Sequence, residues 1–91
     1  MAMNVELREK PRVFEVWVGE NSIGEVISYR AETEDDDTEE SYEAFLYKSG
    51  GDEKEDLSLG WWSSLRKAAL RILHYAHGED CTIDAIKKRK V

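Results

Sequence analysis

The sequence predicts an α+β fold: a three-stranded antiparallel meander, a possible short fourth strand, one amphipathic helix packed on one face, and a short C-terminal helix. Three observations predict it. Residues 12–19, 23–30 and 41–48 alternate side chains with the period of a strand and are rich in β-branched and aromatic residues. The breaks between them are short, polar or glycine-containing. Residues 61–78 carry apolar side chains with the 3.6-residue period of a helix.

Met1 to Lys10 shows no clear period and precedes Pro11, so it reads as a loose N-terminal lead-in. In the first strand, Phe14, Val16 and Val18 alternate with Val13, Glu15 and Trp17, and the Phe14 face is the better core candidate. Gly19-Glu20-Asn21-Ser22 has turn chemistry and predicts a hairpin. The second strand, Ile23 to Arg30, alternates imperfectly, and Gly24 is a candidate bulge. Ala31 to Glu40 holds seven acids and no apolar side chain larger than Ala, which predicts a mobile loop over 32–40. In the third strand, Ser41 to Lys48, both faces carry apolar bulk: Tyr42, Ala44 and Leu46 on one, Phe45 and Tyr47 on the other.

Ser49 to Asp56 reads as a second polar loop, and Leu57-Ser58-Leu59 as a possible short strand. The helix spans 63–77, capped by Ser63 or Ser64 and stopped by Gly78. Its stripe is Leu65, Ala68, Ala69, Ile72 and Ala76, extended by Trp61 and Trp62 and flanked by Leu73 and Tyr75. In Glu79 to Val91, Ile83 and Ile86 are spaced for a helix, although Cys81, Ile83 and Ala85 also fit a strand. Residues 87–91 are read as a frayed basic tail. The whole of 1–91 is expected to form a single domain.

Net charge is −7, unevenly spread: residues 1–60 carry 17 acids and 6 bases, residues 61–91 carry 3 acids and 7 bases. An acidic sheet half argues against direct nucleic-acid binding, which needs a basic field. The lone Cys81 forms no intramolecular disulfide, and no apolar run resembles a signal or a membrane span. A soluble cytoplasmic protein is expected. Three antiparallel strands plus a helix over residues 12–78 resemble, in architecture only, the sheet-and-helix DNA-binding modules of some phage-type integrases. Those modules read DNA with a basic sheet, whereas this sheet half is acidic, so the resemblance does not carry the function.

The candidate chemistry is sparse. His74, His77 and Cys81, with Asp80 or Asp84 to complete a set, invite a metal reading. Zinc needs three or four ligands in tetrahedral array, however, and a pair of surface histidines near the helix end, which fits the dipole without any metal, is the better reading. Cys81 with His77 lacks the orienting group and oxyanion hole of a covalent catalyst. Asp35, Asp36 and Asp37 do not follow the order of a calcium loop. No cofactor or metal is expected, and an enzyme is the least favoured class. The favoured function is a small acidic protein-interaction or accessory module acting by binding. The alternative is a nucleic-acid mimic whose acidic half occupies the phosphate-binding surface of a nuclease or DNA-binding protein. One helix covers only one face of a small sheet, so surplus aromatic surface points to a protein partner or a homodimer. The candidate partner-binding residues are Trp17, Phe45 and Tyr47 on the sheet and Arg66, Lys67 and Arg71 on a basic helix face.

Overall fold

The computed structural model describes residues 2–32, 38–47 and 57–90. The elements are β1 (Ala2–Lys10), β2 (Val13–Val18), β3 (Asn21–Glu32), β4 (Thr38–Leu46), β5 (Leu57–Trp62), α1 (Leu65–His77) and β6 (Thr82–Lys90). All six strands join one sheet in the order β5-β4-β3-β2-β1-β6. Strands β1 to β5 pair antiparallel in sequence order. The chain then passes through α1 to the opposite edge, where β6 pairs parallel to β1. A parallel pair needs a long crossover, and the helix supplies it.

The molecule is therefore dominated by a six-stranded mixed sheet with one helix. The expected α+β meander of three strands with two helices is overturned, and two segments account for the difference. Residues 2–10 are strand β1, not a lead-in. Met3, Val5 and Leu7 alternate with the polar Asn4, Glu6 and Arg8, the period of a half-buried strand, and Val5 and Leu7 are buried. Residues 82–90 are strand β6, not a short helix with a frayed tail. A register shift between Met3 and Asn4 skips Asp84, so Ile83 pairs with Met3 and Ile86 with Val5. The extra residue lets two positions three apart share the core side, and that spacing imitates a helix.

The first two hairpins turn on two residues each. In Gly19-Glu20, Gly19 has φ 60°, as the first central position of a type II′ turn requires; Asn21 and Ser22 already belong to β3. Beside it, a register shift between Val16 and Trp17 places the bulge next to Gly24. Thr38 to Glu40 belong to β4 and Ala31 and Glu32 to β3, so the expected 32–40 loop is strand at both ends. Residues 33–37, and the expected loop 49–56, lie outside the described residues.

The core lies between α1 and one face of the sheet. Val5 and Leu7 (β1), Val16 (β2), Val26 (β3) and Ala44 (β4) meet Ala68, Ala69, Ile72 and Leu73, with Cys81 and Ile83 closing the β6 side. In β2 this is the Phe14 face. Ser64 caps the helix, its Oγ accepting from Lys67 N at 3.1 Å, and Gly78 N donates to His74 O at 2.8 Å at the other end. The buried stripe differs from the expected one. Leu73 is inside it, whereas Ala76 is exposed although it lies at the stripe's angle; the covered length of the helix ends before it. Trp61 and Trp62 do not extend the helix. They end β5, beside Glu43 and Tyr42. Among the described residues, no helix is long and apolar enough to cross a membrane.

Candidate binding face of the sheet

Strand pleating sends alternate residues to opposite faces, so the register fixes which side chains stand on the face away from α1. They include Arg8 and Lys10 from β1, Val13, Glu15 and Trp17 from β2, and Glu25, Ile27 and Tyr29 from β3. Glu43 and Phe45 from β4, Trp61 from β5, Glu6 from β1 and Lys87 and Arg89 from β6 stand there as well. Among the described residues no helix or strand covers this face.

Trp17, Phe45 and Tyr47 belong to it, and all three are half-buried. The Arg8 guanidinium lies 3.7 Å from the centroid of the Trp17 ring, a cation–π contact that shields the indole. Trp17 Nε1 is buried and bonds to no other described residue. Tyr47 OH reaches Glu25 Oε2 at 3.4 Å, across from Phe45. Arg8 Nε stands 3.4 Å from Glu6 Oε1, Arg89 Nε 3.3 Å from the same oxygen, and Lys10 Nζ 2.9 Å from Glu15 Oε1. The aromatics read from the sequence are thus largely wrapped by charged neighbours.

The open aromatic surface belongs to Tyr29 and Trp61. Their ring centroids are 4.8 Å apart and the planes tilt by 50°, with 43% and 57% of each residue exposed. Neither is among the candidate residues that the sequence offers: Tyr29 follows the alternation of β3, whereas Trp61 falls within the helical period of residues 61–78. Two grooves open at this end of the sheet. One, of about 400 Å³, lies between Glu40, Ser41 and Trp61-Trp62-Ser63. The other, of about 710 Å³, lies mainly on the α1 side of the sheet, where Glu9, Phe14, Ser28, Arg30 and Glu40 share the side of Val16 and Val26. Arg30 and Glu40 pair there at 3.8 Å, so the larger groove carries both signs of charge. The bond from Tyr42 OH to Glu40 Oε2 is 2.9 Å; burial first, then that bond and the carboxylate charge, raises the Tyr42 pKa above the usual tyrosine value.

Arg66, Lys67 and Arg71 are elsewhere, on the helix that packs against the other face, so the six candidate residues do not form one site. Arg66 Nη2 donates to Ile83 O at 3.2 Å and ties the first turn to β6. Arg71 stands over the Tyr75 ring at 4.8 Å, and Lys67 is exposed. His74 Nε2 donates to Cys81 O at 2.8 Å, which fixes its tautomer and anchors the entry to β6. Cys81 is buried and its Sγ donates to His77 O at 3.4 Å rather than meeting the imidazole. The thiol is therefore packed as a structural group, not aimed at a base. Among the described residues, no three His, Cys, Asp or Glu side chains gather as a metal site.

No family model matches the chain, and no curated protein or solved structure matches it either.

Proposed function

We propose that this protein is a protein-interaction module whose docking surface is the uncovered sheet face, with Tyr29 and Trp61 as its aromatic anchors. The observation that carries the reading is the pairing of these two exposed rings on a face that no described element covers. Tyrosine and tryptophan are enriched among the residues that dominate binding energy at interfaces, because each offers a large rigid surface with a polar tip. Ile27 and Val13 extend the apolar surface inward from Tyr29, and the flanking ion pairs form a polar rim.

The test compares capture from a lysate of the native host on wild-type bait and on a Tyr29→Ser, Trp61→Ser double variant. About half of each residue is exposed and neither belongs to the buried core, so the variant is expected to keep its fold. Proteins retained by the wild type and lost by the variant are the expected result. Identical capture by both baits, with native circular dichroism for the variant, would reject the face as the docking surface.

A further inference from the structure

Helix α1 stands apart from the rest of the chain in charge. The chain carries −7, yet α1 holds Arg66, Lys67 and Arg71 and no acid. Arg66 and Lys67 lie near its start, where the helix dipole disfavours cations, and its first turn has no acid to offset them. Arg66 is tied down by its bond to Ile83 O. Lys67 and Arg71 form no ion pair among the described residues; Arg71 lies over the Tyr75 ring.

Lys67, Leu70, Arg71 and His74 are spaced i, i+3, i+4 and i+7, so they form one stripe along the helix. With Trp62 of β5 they line a groove of about 180 Å³. Trp62 and Leu70 are half-buried, pack against the core and give the groove an apolar wall. Lys67 and Arg71 give it two cations. Acids stand beyond both ends. Glu40 shares a neighbouring groove with Trp62 and Ser63, and Glu79 shares another with Arg71, His74 and Tyr75.

We infer that this groove docks a short extended segment of a partner protein, one that carries an aromatic residue among acids. The ring enters between Trp62 and Leu70, and the acids two residues before and two after it pair with Lys67 and Arg71. Residues two apart in an extended segment share a side, so the ring and those acids reach the groove together. An aromatic ring gains from stacking on the indole as well as from burial. The acids must be confined to a few residues, because a longer acidic run meets Glu40 or Glu79. A nucleic acid is disfavoured for the same reason, and two unpaired cations neutralise few phosphates. The groove is distinct from the uncovered sheet face: Trp62 stands with Tyr42 on the α1 side, whereas Trp61 stands with Glu43 on the other.

Fluorescence anisotropy on the full chain tests this with the labelled peptide Ser-Gly-Asp-Glu-Phe-Asp-Glu-Gly-Ser. Saturable binding below about 1 mM is expected, weakening as salt is raised. A peptide with Asn and Gln for the acids, and one with Gly for Phe, are each expected to bind more weakly by about fivefold or more. Lys67→Glu and Arg71→Glu are each expected to weaken binding of the acidic peptide by a similar factor. The double reversal is expected to bind a peptide with Lys for the acids more tightly than the wild type does, which also shows that it is folded. If a reversal loses its native circular dichroism, Lys67→Gln and Arg71→Gln read the same contacts, each expected to weaken binding. The Tyr29→Ser, Trp61→Ser variant is expected to bind the peptide as the wild type does. Loss of binding in that variant, with native circular dichroism, places the peptide on the sheet face and overturns the inference. So does a wild type that does not bind below about 1 mM, or binding that neither charge change weakens. Tighter binding of a short single-stranded oligodeoxythymidylate than of the peptide overturns it in favour of nucleic acid.

Discussion

Gly24 of β3 and Ile72 of α1 touch at the point where the helix crosses the sheet: a Cβ placed on Gly24 would stand 2.9 Å from Ile72 Cγ2 and against the Phe45 carbonyl. The glycine is needed for space, since its φ is not positive. Gly24→Ala is expected to lower stability by about 1–3 kcal/mol, the usual cost of overpacking a filled core. Urea unfolding checks it; an unchanged midpoint would mean that helix and sheet separate freely there.

Ile72 is fully buried by β3 and its neighbours, whereas Ala76, four residues on, is exposed. Ile72→Ala is expected to cost about 2–5 kcal/mol, from lost burial plus a residual cavity. Ala76→Ser is expected to change stability by no more than about 0.5 kcal/mol. Equal losses at both positions in denaturant unfolding would contradict this packing of the helix.

Arg12 follows Pro11 in the β1–β2 turn and has φ 63°, a left-handed conformation that costs a side-chain-bearing residue about 1 kcal/mol. Its carbonyl accepts from Ser28 N at 2.9 Å, so the turn is held by β3 as well as by its own hairpin. Arg12→Gly is expected to raise the thermal midpoint by relieving that strain. The gain is smaller than the full strain, because glycine also adds freedom to the unfolded chain. A clear fall in the midpoint would show that the arginine side chain contributes more than its backbone costs.

Tyr42 OH donates to Glu40, and burial together with that carboxylate raises its pKa from the usual 10.0. The sign follows from linkage. A group whose folded pKa is raised contributes stability that is full below the unfolded pKa and is lost as pH rises through the folded one. The difference in phenolate absorbance between wild type and Tyr42→Phe should therefore appear above pH 10, and the stability difference between them should shrink over the same range. A Tyr42 transition below pH 10 would contradict the contact.

Local elements were legible wherever one interaction dominated. The alternation of Phe14, Val16 and Val18, the turn at Gly19 and the helix stop at Gly78 are properties of a few neighbouring residues and the structure uses them, while of the two cap candidates, Ser63 and Ser64, it uses Ser64. The candidate face was half legible: Trp17, Phe45 and Tyr47 stand on it, but Arg8 and Glu25 shield the first and engage the last. Which aromatics remain open depends on neighbours brought together by strand pairing.

Periodicity, capping and composition act over a turn or a hairpin, so the central strands, the helix with its end signals and the division of charge along the chain can be read without the fold. That residues 2–10 and 82–90 are strands depends on what the fold sets beside them. Each lies beside the other: Val5 pairs with Ile86 across 81 positions of chain, and a bulge at Asp84 aligns them. Tertiary structure alone also moved Trp61 from the helix to the sheet and set it against Tyr29. Sequence period gives an angle around an axis, whereas burial depends on what another segment brings to that angle.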